Sequence, residues 1–211
     1  YRFLLASVIS WFFCFFCGLS MVFSSSDHFF MFLQGCFLFA LNYWLFYLSE
    51  ITLTSGLAAV IFSTVVVMNM LNGIIFLQNQ LEYKVIIAAS LGLIGIIFVF
   101  WPEITNFNLE SENIKAIFFA IIATYFASLG NIVSARNQRK GISVLQSNTF
   151  GMTYGSFLML FVCFVSEKEL SFEFSLTYIG SLLFLSIFAS IIAFWTYLTL
   201  LGRVGVERAA Y

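Results

Sequence analysis

The stretch SGLAAVIFSTVVVMNMLNGIIFL, residues 55–77, runs for 23 residues without one charged side chain. A helix needs about 20 mostly apolar residues to cross the hydrocarbon core of a bilayer, so this is the length of one crossing. It does not alternate apolar with polar, as a barrel strand must. In lipid the backbone has no water to bond, so such a run must satisfy itself as a helix.

Working outward, six more runs read the same way. They are Leu4–Phe23 and Phe29–Leu48 upstream, and Val85–Trp101, Ile114–Val133, Val144–Val165 and Leu176–Leu201 downstream. Short polar connectors separate them: Ser24–His28, Ser49–Thr54, Gln78–Lys84, Pro102–Asn113, Ser134–Ser143 and Ser166–Ser175. The chain has 211 residues, 62% hydrophobic and 9% charged. A soluble domain carries about 25% charge, so too few charges exist here to cover a globule. Disorder needs low hydrophobicity and high charge and is excluded by the same numbers. The first run is too long and too weakly flanked for a signal peptide. The expectation is an all-α, polytopic membrane helix bundle with seven spans visible.

Charge gives the orientation. Connectors after the odd spans, with the segment after Leu201, hold Lys84, Arg136, Arg139, Lys140, Arg203 and Arg208. The other side holds Arg2, Lys115 and Lys168, three against six. Basic residues stay on the cytoplasmic side, so the first group is expected there, in the cytoplasmic (inner) membrane. Glu50, Glu103, Glu110, Glu112, Glu167, Glu169 and Glu173 mark the opposite side. Tyr43, Trp44, Tyr47 and Trp101 fit aromatic anchoring at an interface.

Several chemistries lack their residues. Net charge is −1 and no basic run exceeds Arg139-Lys140, so nucleic acid is not an expected partner. Cys14 and Cys17 form a C-x-x-C without a second pair or a nearby histidine; with Cys36 and Cys163 they read as buried small hydrophobes. The one histidine, His28, reads as solvated in its connector. No metal, no cofactor and no catalytic residue is expected. No lysine lies deep enough for a retinal Schiff base, and no Gly-Lys-Ser/Thr loop is present to cradle a phosphate. No central carboxylate offers a proton relay. Glu50, Glu82 and Glu207 read as solvated interface charges.

The chain also carries a displaced copy of itself. A shift of 151 positions lays Phe194-Trp195 on Tyr43-Trp44, and Ala209-Ala210 on Ala58-Ala59. Five spans separate equivalent points, an odd number, so the copies run in opposite directions. Inverted repeats are a common plan of secondary transporters. Both ends read as cut, so a complete protein would have ten helices in two five-helix halves. Residues 1–102 are then a first repeat lacking its first helix, and 103–211 a second lacking its last two.

The residues that decide the family follow. Residues 55–63 read SGLAAVIFS, then come Gly73-Ile-Ile-Phe-Leu77, Leu81, and AASLGLIGIIF over 88–98. Residues 195–210 read WTYLTLLGRVGVERAA. These stretches resemble the EamA domain of the drug/metabolite transporter superfamily: an alanine-rich helix start, a short turn, and a small-residue helix ending in glycine and aliphatics. The resemblance implies a permease working by alternating access between inverted halves, with small metabolites, amino acids among them, or drugs as substrates. Two departures stand out. Val66 occupies a place where the family often has a helix-kinking proline, and Asn79 one where it often has glutamate.

Polar groups inside a membrane are costly and invite functional readings. Asn69 and Asn72 share one helix face, and Ala120, Thr124, Ala127, Ser128 and Asn131 form a small, polar stripe. The candidate substrate cavity is Asn42, Trp44, Ser63, Asn69, Asn72, Tyr125, Ser128, Asn131 and Trp195. Ser186 and Ser190 belong to the same inventory of polar groups; Trp44, Trp195, Tyr125 and Tyr197 could stack on an apolar or aromatic solute, with membrane anchoring the competing reading for Trp44 and Tyr197. The competing reading makes these residues interhelical hydrogen bonds and packing surfaces. Gly151-Met-Thr-Tyr-Gly155, a G-x-x-x-G, reads as close helix packing, and Gly92 and Gly95 as doing the same. An integral membrane enzyme on a lipid-linked substrate, or a structural membrane subunit, are the alternative functions. The expected partners are the lipid bilayer and a small-molecule solute.

Overall fold

A computed structural model describes residues 1–80, 83–105, 111–167, 170–206 and 208–209. The expectations placed on Leu81, Glu82, Glu110, Lys168, Glu169, Glu207 and Ala210 lie outside them. The described residues form α1 (Arg2–Phe16), α2 (Ser25–Ser49), α3 (Ser55–Leu77), α4 (Tyr83–Val99), the short α5 (Trp101–Thr105), α6 (Ser111–Arg139), α7 (Val144–Val165) and α8 (Leu176–Val204). Each expected span is a helix. Five of them, α2, α3, α6, α7 and α8, are long and apolar enough to cross a membrane; α1 and α4 are apolar but shorter.

The distribution of side chains is the reverse of a soluble protein's. Phe16 is 82% and Phe164 83% exposed, while Gln34, Asn69, Asn137 and Thr149 are fully buried. Burying unpaired amides while exposing phenylalanines is unfavourable in water. It is the favourable arrangement when the surrounding solvent is hydrocarbon and polar groups find partners only inside.

Local chemistry sets the helix ends. The first run is apolar to Phe23, yet α1 stops at Phe16. Gly18 takes a left-handed φ of +63°, and the amides of Gly18 and Leu19 donate to the carbonyls of Phe15 and Cys14, the double bond pattern that closes a helix on a glycine. The same device ends α6 at Gly141, φ +82°. Two residues on, Ser143 and Gln146 form a reciprocal capping box that starts α7.

Three helices are irregular within their length. In α3 the helical run breaks at Thr64, where the Ser63 and Thr64 hydroxyls donate back to the carbonyls of Val60 and Ile61. Such back-bonding often bends helices, and this interruption lies two residues before Val66. In α2 residues Gly35–Leu41, and in α8 residues Ile187–Ile192, are π-helical. Wide turns of this kind are rare and are frequently found at functional sites.

The helices assemble around α6, which packs on α2, α3, α7 and α8. At one end of the bundle, Arg136 pairs with Asp27 at 3.3 Å and Arg139 donates to the Leu77 carbonyl. There too Gln146 reaches the Ser20 carbonyl and Gln138 the Leu198 carbonyl. The connectors after α1, α3 and α6 and the last turns of α8 therefore share one end, as their charges suggest. His28 is not free in a connector. It sits in the first turn of α2, half-buried, with Nδ1 2.9 Å from the Tyr154 hydroxyl and its ring edge-on to Phe150. Cys14 and Cys36 are buried, but Cys17 is exposed.

The glycines divide into two kinds. A Cβ on Gly35 would fall on the Gly151 carbonyl oxygen, and one on Gly155 would come 2.8 Å from the Gly35 carbonyl oxygen. The G-x-x-x-G thus brings the backbones of α7 and α2 into contact. Gly92 and Gly95 do not act alike: a Cβ on either meets nothing within 4 Å among the described residues. Gly92→Ala and Gly95→Ala should therefore be neutral or stabilise α4, by up to about 1 kcal/mol each from helix propensity. Melting temperature in detergent, read by size-exclusion chromatography after heating, checks this; a drop in either variant would show that the α4 face is packed.

Candidate solute cavity

The amides of α3 and the stripe of α6 face each other. Asn131 Nδ2 donates to Asn69 Oδ1 at 3.3 Å, and Asn72 Nδ2 to Ser128 Oγ at 2.9 Å. Asn131 Nδ2 also donates to the Tyr197 hydroxyl of α8 at 3.0 Å. From α2, Asn42 Nδ2 donates to the Ala123 carbonyl of α6 at 2.8 Å. Thr124, although in the stripe, turns its hydroxyl to the Ala120 carbonyl of its own helix. All four asparagines are at least nine-tenths buried.

Beside this network lies a cavity of about 380 Å³, lined on α2 by Leu38, Asn42 and Tyr43, on α3 by Phe62 and Val65, and on α6 by Ala127 and Asn131. Ala193, Phe194 and Tyr197 of α8, with Ala209, complete it. Among the described residues no charged side chain borders it. A second hollow of about 300 Å³ shares Asn42, Tyr43 and Phe62 with the first and continues past Phe46, Ala58 and Ala59 to Glu50 and Ser55. The path thus runs from the bundle centre toward the α2–α3 connector, away from the arginine-rich end.

Toward the arginine-rich end a hydrogen-bonded chain joins α2, α6 and α7, while a hollow of about 300 Å³ lies between α3, α6 and α8, bordered by Leu77, Gln138, Arg139 and Arg203. Gln34 Nε2 donates to Asn148 Oδ1 at 2.8 Å, Asn137 Nδ2 to Gln34 Oε1 at 2.9 Å, and Arg136 to Asn137 Oδ1 at 3.1 Å. The Arg136 guanidinium lies 3.6 Å from the centre of the Phe30 ring. This chain ties α2, α6 and α7 together below the cavity.

The candidate residues divide accordingly. Asn42 and Asn131 line the cavity, Asn69 stands behind it bonded to Asn131, and Asn72 and Ser128 form a separate pair behind the wall. Ser63 spends its hydroxyl on its own helix at the break in α3. Trp44, Tyr125 and Trp195 are 37%, 42% and 50% exposed and do not border the cavity; Trp44 borders a separate hollow beside α1 and α7. Tyr43, Phe62 and Phe194 are lining residues absent from the sequence-derived set. One signal was available for two of them: the 151-residue displacement carries Asn42-Tyr43 onto Ala193-Phe194, and both pairs line the cavity. The same displacement carries the π-helical Gly35–Leu41 onto 186–192, where α8 is π-helical from Ile187.

Two amide atoms in the network have no partner. Asn69 Nδ2 and Asn131 Oδ1 are buried and make no hydrogen bond within the protein. An unsatisfied buried polar group costs about 1–3 kcal/mol.

Comparisons with curated proteins and with solved structures returned no match. The EamA-like transporter family matches residues 1–101 and 114–211, taking in every residue that lines the cavity, and the chain belongs to that family of membrane transporters.

Proposed function

We propose that the chain is a permease that carries a small metabolite, such as an amino acid, or a drug-like solute across the cytoplasmic membrane. It does so by alternating access between two inverted halves, residues 1–102 and 103–211. The arginine-rich end faces the cytoplasm, by the distribution of Lys and Arg.

One observation carries the reading. The cavity is lined by displaced counterparts, Asn42-Tyr43 of α2 and Ala193-Phe194 of α8, each directly following a π-helical turn. A site between repeats, walled by irregular helices, is the arrangement secondary transporters use. Hollows of about 300 Å³ toward Glu50 and between Arg139 and Arg203 at the other end support a route with approaches from both sides, the Gln34–Asn137–Asn148 chain closing the α2–α6–α7 side of the latter. Asn42 and Asn131 meet the solute directly, with Asn69 supporting Asn131 and the separate Asn72–Ser128 pair holding α3 to α6 behind the wall.

The test is flux of labelled solutes into proteoliposomes holding the full-length protein, with and without a pH gradient. The panel should contain amino acids, sugars, carboxamides and lipophilic cations. Saturable movement of at least one class is the expected result. Flux equal to that of empty liposomes across the panel would overturn the permease reading.

A further inference from the structure

We infer that the hollow at the arginine-rich end, between α3, α6 and α8, binds the phosphate headgroup of an anionic phospholipid between the guanidinium groups of Arg139 and Arg203. The site lies apart from the solute cavity and does not depend on what that cavity carries.

Three observations carry it. The first is a pair of cations without a counter-charge. Arg139, the last residue of α6, and Arg203, in the last turn of α8, border one hollow of about 300 Å³. Arg139 donates to two neutral acceptors, the Leu77 carbonyl at 2.9 Å and Asn79 Oδ1 at 2.7 Å, out of the five N–H groups a guanidinium carries. Arg203 makes no hydrogen bond or ion pair among the described residues. Arg136 behaves otherwise: it faces Asp27 at 3.3 Å and lies on the Phe30 ring. With Asp27 so engaged, Lys84, Arg139, Lys140, Arg203 and Arg208 stand at this end against Glu82 and Glu207. The positive surplus stays whatever those two acids pair with. A phosphate group offers oxygens to two guanidinium forks at once, the planar pairing that arginine favours.

The second is position. The hollow is set among the closing turns of three helices that read as membrane spans, the level at which headgroups lie. It shares no lining residue with the cavity around Asn131. Basic pockets between transmembrane helices on the cytoplasmic side, the side to which the charge distribution assigns this end, take anionic headgroups.

The third is the flank. Leu200 stands one turn before Arg203 on the same face of α8, Val204 follows it, and Phe76 precedes Leu77 on α3; all three are exposed. Acyl chains hanging from a bound headgroup find apolar surface beside it. A free phosphate has no use for such a flank.

The experiment is native mass spectrometry of the full-length protein in detergent, offered equal amounts of phosphatidylglycerol and phosphatidylcholine with the same acyl chains. Phosphatidylglycerol should be retained at least tenfold more. Arg139→Gln combined with Arg203→Gln should reduce that preference tenfold or more. Lys140→Gln removes the same charge next to Arg139 but off the hollow, and should change the preference less than twofold. Arg203→Gln alone breaks no bond within the protein, so it serves where the double variant misfolds; it should lower the preference about fivefold. Glycerophosphoglycerol, the same headgroup without acyl chains, should leave the bound lipid in place at equal concentration. Equal retention of the two lipids would overturn the site. So would an equal loss in Lys140→Gln and in the arginine variants, which would spread the preference over the whole basic surface. Displacement by glycerophosphoglycerol would overturn the lipid and make the hollow a site for a soluble phosphate. A flat solute flux panel would remove the permease reading and leave each of these outcomes as informative as before.

Discussion

Replacing Asn131 with leucine is expected to cut solute flux roughly tenfold or more while the protein still inserts and remains monodisperse in detergent. The two effects separate because they draw on different interactions. For stability, the variant loses the Asn131 bonds to Asn69 and Tyr197. Interhelical hydrogen bonds in membranes are worth about 0.6 kcal/mol on average and up to about 1.7, and leucine refills most of the volume. For binding, the variant replaces a polar lining residue of the cavity by an apolar one and leaves the Tyr197 hydroxyl and the Asn69 amide without their partner. Leaving polar groups of a bound solute unmatched costs about 1–3 kcal/mol, and 1.4 kcal/mol is tenfold. Thr124→Val is the control. Its hydroxyl is fully buried but bonds the Ala120 carbonyl of its own helix, so its flux should stay near wild type. Flux normalised to reconstituted protein reads both. Wild-type flux in Asn131→Leu would assign the asparagine to packing and move the solute elsewhere.

This result turns on how such sites become visible in a sequence. An asparagine in an apolar run is legible because lipid offers it no partner, so it must face something inside. That reasoning brings Asn42, Asn69, Asn72 and Asn131 to the interior, and burial finds all four there. It applies equally to Gln34, Asn137 and Asn148, which the sequence-based set leaves out; burial puts them in the interior as well. Aromatic residues behave otherwise. Trp44, Tyr125 and Trp195 are at home in lipid and in a cavity alike, so residue type does not choose the face of the helix. In a soluble helix the polar face would decide, but here both faces are apolar.

The fold shows the same division. Seven spans are legible because apolar length is a one-dimensional property. The stop of α1 at Phe16 is set by the backbone of Gly18 rather than by hydropathy. The break in α3 at Thr64 coincides with hydroxyls that bond back to their own helix, and the π-helical turns of α2 and α8 leave no mark in residue type. The two turns fall in register under the 151-residue displacement.

The largest loss of stability is expected at Gly35. It opens the π-helical turn of α2 and lies against Gly151 and Gly155 of α7 so closely that its missing Cβ corresponds to the position of a backbone oxygen. A side chain at Gly202 meets only the Gln138 side chain, which can swing aside at the cost of its bond to the Leu198 carbonyl. At Gly35 the obstacle is a carbonyl locked in its own helix, so α2 and α7 must separate. Overpacking of this kind costs about 1–3 kcal/mol and sometimes more, and separation also strips the close contacts on both sides of the turn, since dispersion falls steeply with distance. Gly35→Val is therefore expected to lower the melting temperature in detergent by about 5–10 °C, taking roughly 2–4 °C per kcal/mol for a chain of this length, or to abolish the folded peak. Gly35→Ala should fall part of the way, and Gly202→Ala should stay near wild type. Because the Gln34–Asn137–Asn148 chain begins one residue before Gly35, whatever folded Gly35→Ala protein survives should also leak solute with less dependence on which side it is offered. A Gly35→Val protein that melts with wild type would mean that α2 and α7 do not touch backbone to backbone, and the closed end of the bundle would lose its physical basis.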